Sequence, residues 1–253
     1  MFLFCTDMDN TIIYSYKHDI GPSKRNVELY QGREISFITE RTYELLNRLK
    51  KLDDKIMIVP TSTRTIEQYN RINLGIGDFK YSMVCNGGIL LRDNIRDDEW
   101  YNDSLLLIRE SQEEIDKSIK YLEKDKRRTF ELRYIEDLFV FTKCDEPEQV
   151  VEDLKAYLNT SMVDVFNNGT KVYVVPRALN KGNAVRRLNE IIGADKIIAA
   201  GDSEFDISML EYADYGLCPY GFIKEFSAKS DLIEAEENIT FSEFLLDKCL
   251  NLV

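Results

Sequence analysis

Short apolar runs alternate with amphipathic segments along much of the chain. The runs have the length of buried strands, and they cover residues 2–7, 55–60, 81–88 and 196–202. A polar segment at residues 14–34 is expected to form a flap or an extended hairpin. After it, Thr39 can cap a helix that carries Leu45 and Leu49 at helical spacing. Strands that alternate with helices in this way predict a parallel sheet with crossover helices, which is the α/β class.

The pattern changes after the third apolar run. Two helices there alternate with pairs of strands in the order α-β-β-α-β-β, and Ser111 with Glu114 has the spacing of a capping box at the first helix. The last two strands are joined through Asn168 and Gly169, a strong short-range hairpin signal. We therefore predict an α/β core interrupted by an α+β insert, and we expect the aromatic residues of its strands to lie in its core. The predicted boundaries are residues 1–88 and 177–253 for the core and 89–176 for the insert.

Composition narrows the classes of partner. The net charge of −12 at pH 7 makes nucleic acids and anionic membrane surfaces unfavourable partners, because both are bound through Lys and Arg. Small anions are still compatible, since a local site can be positive in an acidic protein. The chain has no run of about 18 apolar residues and no basic leader, so neither a membrane span nor a signal peptide is predicted. The 5 scattered cysteines form no C-x-x-C pair, which favours reduced thiols and a cytoplasmic location.

Polar residues collect at the carboxyl ends of the predicted strands, where open α/β sheets bind ligands. Asp7 and Asp9 share one face if the first strand continues through them, and two neighbouring carboxylates repel each other unless a positive charge offsets them. The other strand ends and the helix before the last strand contribute Thr11, Ser62, Thr63, Arg64, Asn86, Gly87, Lys181, Asp202 and Asp206. Carboxylates together with a lysine and short hydroxyls suit Mg²⁺-assisted phosphoryl transfer, in which a carboxylate can be the nucleophile.

Four of these segments, in order, carry a family resemblance. DMDNT, TSTR, the lone Lys181 before a strand and GDSEFD resemble the four motifs of the haloacid dehalogenase phosphatase superfamily. The insert resembles the C2-type cap of the Cof and sucrose-phosphatase-like branch, and residues 86–88 resemble the Asn-Gly-Ala segment of that branch. The resemblance covers nearly the whole chain. It implies a Rossmann-like core with a substrate-selecting cap, and Mg²⁺-dependent hydrolysis of a small phosphate monoester, with a sugar phosphate favoured.

The resemblance also implies a role for each matched residue. Asp7 matches the nucleophile, which forms an aspartyl-phosphate, and Asp9 matches the general acid and base. Ser62 and Lys181 match the catalytic groups of the second and third motifs. The implied Mg²⁺ ligands are the carboxylates of Asp7 and Asp202 and the backbone carbonyl of Asp9, with Asp206 nearby either as a further ligand or as a partner of the ligands. The implied substrate or phosphate contacts are Thr11, Thr63, Arg64, Asn86 and Gly87. The chain departs from the usual family pattern at Asn10, Thr63 and Phe205, and Thr63 leaves the choice between Thr61 and Ser62 open.

Plainer interpretations of the same residues stay open. Ser203 with Asp206 fits a capping box, Ser62 could cap the following helix, and Lys181 could be a surface lysine in a first helical turn. The same fold could carry a phosphomutase or another phosphotransferase, or it could belong to a catalytically inactive phosphate-binding protein. We expect a small phosphorylated metabolite as the partner, no nucleic acid, no membrane, and a monomer or homodimer.

Overall fold

The computed structural model describes residues 1–227 and 231–253. The strands are β1 (Phe2–Thr6), β2 (Tyr14–Ser15), β3 (Lys24–Tyr30), β4 (Arg33–Thr39), β5 (Ile56–Pro60), β6 (Tyr81–Val84), β7 (Ile89–Arg92), β8 (Ile95–Arg96), β9 (Arg133–Ile135), β10 (Phe139–Lys143), β11 (Val163–Asn168), β12 (Lys171–Pro176), β13 (Lys196–Ala200), β14 (Tyr215–Cys218) and β15 (Ile233–Glu234). The helices are α1 (Glu40–Lys50), α2 (Ile66–Tyr69), α3 (Asp98–Ile108), α4 (Gln112–Lys124), α5 (Pro147–Tyr157), α6 (Lys181–Ile192), α7 (Ile207–Tyr212), α8 (Phe222–Phe226) and α9 (Phe241–Leu252). Among the described residues, no helix combines the length and the apolar content that a membrane span needs.

A parallel sheet in the order β15-β14-β13-β1-β5 forms the centre of the first compact unit, which comprises residues 1–96 and 181–253. β1 lies between β13 and β5, so that Phe4 is opposite both Ile198 and Ile58. Because β1 has a neighbour on each side and packed side chains on both faces, its residues Leu3, Phe4 and Cys5 are fully buried. The predicted α/β class is confirmed, and so is the cap of α1, where the Thr39 side chain accepts a hydrogen bond from the backbone N–H of Thr42.

Two small antiparallel sheets complete this unit. The predicted flap is a three-stranded sheet in the order β2-β4-β3, and the other sheet has the order β6-β7-β8. β6 is joined to the edge of the parallel sheet, because Ser62, two residues after β5, donates its backbone N–H to the carbonyl of Met83 at 2.8 Å. Since β7 and β8 pair with β6, the residues from 89 to 96 lie in the first unit, whereas the predicted insert starts at 89.

The second compact unit comprises residues 97–180 and contains an antiparallel sheet in the order β11-β12-β10-β9. Apolar residues of α4 and α5 pack on one face of this sheet, together with Val140, Val165 and Val174. The aromatic residues of the strands meet the expectation that they form the core only in part, since Phe139 is buried and Tyr134 packs against the core. Phe141 and Tyr173 are half-buried on the opposite face, because they alternate along their strands with the valines that face the helices.

The predicted capping box at Ser111 is wrong. Ser111 has helical backbone angles, and its hydroxyl donates to the backbone carbonyl of Met162 at 3.0 Å instead of capping α4. Glu114 accepts a hydrogen bond from the backbone N–H of Asn159 at 2.7 Å and pairs with Lys117. Both side chains therefore join α4 to neighbouring residues of the second unit, a use of the same residue types that their spacing cannot reveal.

Candidate active site

The chain leaves β1 in a tight loop that separates the environments of the two acids in the DMD segment. Asp7 still follows the sheet, since its N–H donates to the Ala200 carbonyl at 2.8 Å. The loop then closes on the carbonyl of Met8, and Asn10 adopts a left-handed conformation with φ of 57°. Asparagine tolerates this conformation better than most residues, which explains its presence here. The Asp7 side chain is only 9% exposed, whereas that of Asp9 is 48% exposed.

Lys181 places a buried positive charge next to Asp7. Its Nζ atom donates to Oδ1 of Asp7 at 2.5 Å and to Oδ1 of Asp206 at 2.6 Å. Burial alone would lower the pKa of Lys181, but the carboxylates of Asp206 and Asp7 outweigh it and raise that pKa. The lysine is thus held charged in the first turn of α6, where the helix dipole disfavours a cation. The structure does not support the alternative of a surface lysine.

Three carboxylates converge around this lysine. One oxygen each from Asp7, Asp202 and Asp206 lies within 4.8 Å of the others. Burial, only partly offset by Lys181, raises the pKa of Asp7 well above its usual range. Burial and the neighbouring Asp206 also raise the pKa of Asp202, to about 7. One ammonium therefore does not neutralise the cluster, and its hard oxygen donors fit the coordination preference of Mg²⁺.

Asp206 forms the expected capping box and also contacts Lys181. Its Oδ1 atom accepts from Lys181, while its Oδ2 atom accepts from the N–H and the hydroxyl of Ser203 at 3.0 and 2.9 Å. The carboxylate is completely buried. Gly201 makes this position possible, since a Cβ atom there would lie 2.3 Å from both Cβ and Cγ of Asp206. The capping box and the contact with the site therefore coexist.

The segment after β5 lies beside the turn after β6. Ser62 is buried, and its Oγ accepts from the backbone N–H of Arg64 at 3.1 Å. Thr61 instead turns its hydroxyl back to the carbonyl of Val59 at 3.2 Å. The Asn86 N–H donates to the Ser62 carbonyl at 3.0 Å, which brings the predicted phosphate contacts of the two segments together.

The turn after β6 has an unusual backbone. Cys85, Asn86 and Gly87 have consecutive positive φ angles of 51°, 59° and 84°. Such conformations cost free energy for non-glycine residues, and they cluster at functional sites. Here they allow the N–H of Cys85 to reach the carbonyl of Arg64 at 2.8 Å, so that the turn is tied to the segment that follows β5.

The structure brings Arg64 to two carboxylates rather than leaving it as an isolated cation. Its guanidinium donates to both oxygens of Asp9 at 2.7 Å and to both oxygens of Glu28 at 2.9 and 3.0 Å. Sequence reasoning missed Glu28, because a single glutamate in a polar strand carries no signal that it will be buried. The remaining predicted contacts, Thr11 and Thr63, differ in their surroundings. Thr11 is buried with its hydroxyl 3.4 Å from Oδ1 of Asp202, and Thr63 is half-buried.

Similar proteins were found by sequence and by structure. The model of the haloacid dehalogenase-like hydrolase family matches residues 94–235, which include Lys181, Asp202 and Asp206. A phosphoglycolate phosphatase of Methanosarcina acetivorans is 39% identical over 71 residues, which are 26% of this chain and 31% of that protein. A phosphoglycolate phosphatase of Methanothrix thermoacetophila is 26% identical over 173 residues, which are 66% of this chain and 70% of that protein. The match thus spans about a third of the length of the first of these relatives.

The fold has a counterpart among solved structures. The sucrose-phosphatase from Synechocystis sp. PCC6803, determined in complex with sucrose and phosphate, superposes with a TM-score of 0.70 at 17% sequence identity. The superposition covers 98% of this chain and 96% of that one, so both compact units have an equivalent there. The match of the family model confirms the family that was predicted from four short motifs. Because the family model matches more than half of the chain, the protein belongs to the haloacid dehalogenase-like hydrolase family.

Proposed function

We propose that the protein is a Mg²⁺-dependent phosphatase that hydrolyses a small phosphate monoester through a phosphoryl group bound to Asp7. The observation that carries this proposal is the buried contact of Asp7 with Lys181 beside Asp202 and Asp206. A carboxylate in this position is oriented by a fixed cation and is surrounded by oxygen donors. Positioned charge of this kind is the main contribution that proteins make to phosphoryl transfer.

In the first half of the reaction, an oxygen of Asp7 attacks phosphorus and forms a new P–O bond. The bond from phosphorus to the ester oxygen breaks, and its electron pair goes to the leaving oxygen. Asp9, in its protonated form, gives its proton to that oxygen, so that an alcohol departs rather than an alkoxide. Lys181 would hold Oδ1 of Asp7 during this step, while Ser62 and the turn at Asn86, which are joined by a hydrogen bond, would contact the phosphoryl oxygens.

In the second half, Asp9 accepts a proton from water as the water oxygen attacks phosphorus. The bond between phosphorus and Asp7 breaks, and its electron pair returns to the carboxylate. Inorganic phosphate leaves, and both acids regain their starting states. Asp7, Asp202, Asp206 and the backbone carbonyl of Asp9 would hold Mg²⁺, whose charge would offset the negative charge of the phosphoryl oxygens.

We propose that residues 97–180 form the cap that selects the leaving group and that the remainder forms the catalytic core. The names of the relatives support a small organic phosphate, either phosphoglycolate or a sugar phosphate. In the second unit, Phe141, Tyr173 and Phe166 form a row across three strands, with ring centroids 5.2 and 5.6 Å apart. Flat aromatic faces of this kind suit the apolar face of a sugar ring.

The test is phosphate release from p-nitrophenyl phosphate, phosphoglycolate and a panel of sugar phosphates, each with Mg²⁺ and with EDTA. We expect turnover that requires Mg²⁺ and that falls by about 10³-fold or more in Asp7→Asn, because the nucleophile is lost. The matched control is Asp54→Asn, which changes an exposed acid of the same unit and should leave the rate unchanged. If the wild-type protein releases no phosphate from any of these esters, the proposal fails. Turnover that appears only with an added sugar bisphosphate would identify a mutase instead.

A further inference from the structure

The two acids of the DMD segment are each held by a different cation. Lys181 contacts one oxygen of Asp7, whereas Arg64 binds both oxygens of Asp9. Two parallel N–H···O bonds fix the plane of a carboxylate as well as its position. The half-exposed Asp9 side chain would otherwise be free to rotate, so Arg64 determines where its oxygens lie.

Arg64 is in turn fixed by Glu28. Both oxygens of Glu28 accept from the guanidinium, and Oε2 also accepts from the hydroxyl of Ser36 at 2.7 Å. Arg71 donates to Oε1 at 3.1 Å. Glu28 is 1% exposed, and although burial would raise its pKa, the hydrogen bonds from Arg64 and Ser36 lower it. The carboxylate is therefore held charged against Arg64 at neutral pH.

An irregularity in β3 aims Glu28 at Arg64. The register between β3 and β4 shifts on either side of Glu28, which is the pattern of a β-bulge. The side chain of Asn26 bonds the carbonyls of Glu28 and Ser36, each at 3.0 Å, and holds the bulge in place. The backbone of Glu28 also bridges to Ile72 in the segment after α2. Bulges commonly redirect a side chain next to a functional site.

We propose that Glu28 is a positioning residue that sets the orientation of Asp9 through Arg64. The proposal rests on the proposed phosphatase function, in which Asp9 protonates the leaving group. A purely structural role would explain the anchoring of β3, but it would not explain why one guanidinium binds both oxygens of both acids. Burying an ion pair also costs desolvation energy and commonly adds little net stability. What the arrangement does provide is a fixed position and plane for the Asp9 carboxylate.

The test compares two esters of similar size whose leaving groups differ in their need for a proton. Phenyl phosphate releases a phenol with a pKa near that of tyrosine, about 10, whereas p-nitrophenyl phosphate releases a much weaker base. In Glu28→Gln we expect kcat/KM for phenyl phosphate to fall by about 10-fold or more, and kcat/KM for p-nitrophenyl phosphate to fall by less than about 3-fold. This ratio reports the step in which the ester bond breaks, and a general loss of folded protein would lower both values equally.

Three further variants complete the experiment. Glu67→Gln is the matched control, because Glu67 contacts Arg71 from an exposed position with its side chain 84% accessible. It should change neither value. Ser36→Ala removes one hydrogen bond to Glu28 without changing charge, so it should show the same selective loss at smaller size. In Arg64→Lys, adding Glu28→Gln should cause no further selective loss, because both changes act through one group.

The possible results distinguish a failure of the positioning role of Glu28 from a failure of the proposed phosphatase function. Absence of turnover by the wild-type protein would overturn the phosphatase proposal itself. A wild-type enzyme that is active, together with equal losses for both esters in Glu28→Gln and Ser36→Ala, would overturn the positioning role. If Glu28→Gln does not fold, as judged by circular dichroism, Ser36→Ala alone decides between a selective and a uniform loss.

Discussion

Two clusters of ion pairs, each built around one cation, lie at the end of β1. Both offset the charge of neighbouring carboxylates, but they do so with different geometry and burial. The lysine cluster consists of Lys181, Asp7 and Asp206, and its three side chains are at most 9% exposed. The arginine cluster consists of Arg64, Asp9 and Glu28, and it leaves the Asp9 side chain half-exposed. Each acid of the DMD segment thus has its own cation, which offsets the repulsion expected from its neighbour.

The chemistry of the two cations fits the two positions. Lysine is a point charge, and Lys181 makes one short bond to each carboxylate, which leaves the other oxygen of Asp7 available. Arginine is a planar fork, and Arg64 takes both oxygens of each partner. The lysine cluster therefore holds an acid in place beside further carboxylates, whereas the arginine cluster fixes the orientation of an acid that reaches solvent.

Loss of the buried lysine should have the largest effect on stability. Lys181→Met leaves Asp7 and Asp206 buried without their cation, and we expect the free energy of unfolding in EDTA to fall by about 3–5 kcal/mol. Urea denaturation followed by circular dichroism measures this change. Lys55→Met, at an exposed lysine of the same unit, is the control and should have little effect. Equal stability of the two variants would show that the lysine cluster is not an electrostatic unit.

Magnesium should stabilise the folded protein through the carboxylates of Asp7, Asp202 and Asp206, without a contribution from the arginine cluster. At a concentration about 100 times its dissociation constant, a bound ion adds about 2.7 kcal/mol to the free energy of unfolding. We expect this gain for the wild-type protein and its loss in Asp202→Asn, which removes one of the three converging carboxylates. Glu28→Gln should keep the full gain. A melting temperature of the wild-type protein that does not respond to Mg²⁺ would contradict the assignment.

The paired hydrogen bonds of the planar Arg64 guanidinium should contribute more to stability and activity than its positive charge alone. Arg64→Lys keeps the positive charge but cannot bind both oxygens of Asp9 and Glu28 together, so we expect a loss of about 1–3 kcal/mol in stability. Phosphatase activity towards phenyl phosphate should fall more than activity towards p-nitrophenyl phosphate. Wild-type kinetics in this variant would show that charge alone is sufficient in the arginine cluster.

Asp202, which lies beside the lysine cluster, and Glu28 in the arginine cluster should also respond to pH in opposite directions in EDTA. The pKa of Asp202 is raised to about 7 from 3.8, so the folded state binds the extra proton and stability should fall as pH rises between these values. The pKa of Glu28 is lowered from 4.5, so its contribution is present above pH 4.5 and is lost as pH falls below that value.

Thermal melts from pH 3 to 8 measure both trends. The difference between the wild-type protein and Asp202→Asn should grow from pH 4 to 7, and the difference between the wild-type protein and Glu28→Gln should shrink below pH 4.5. The second trend is the smaller of the two, since Glu28 keeps its hydrogen-bond partners over most of the range. If the melting temperatures of all three proteins change with pH in parallel, the predicted difference in pH dependence between Asp202 and Glu28 is wrong.

Many residues of the candidate site could be predicted from the sequence, because strand periodicity and spacing determine where they lie. Strand alternation and the rule that ligands bind at the carboxyl ends of parallel strands group Asp7, Ser62 and Asp202 without any coordinates. Spacing also shows that Asp206 can cap the turn before α7, as it does. The capping box expected at Ser111 was wrong because its hydroxyl found a partner 51 residues away, and no local rule describes such a contact.

The sequence by itself determined the alternation of strands and helices in the core, the presence of a separate α+β unit and the acids that lie at the end of β1, although it did not predict β7, β8 or α3. These follow from periodicity and turn chemistry, which act over a few residues. Only the tertiary structure decided which cation serves which acid, because Lys181 is 174 residues from Asp7 and Arg64 is 55 from Asp9. Only the bulge in β3 brought Glu28 to Arg64. Pairings over such separations depend on how the elements pack, and that is the information a local pattern does not contain.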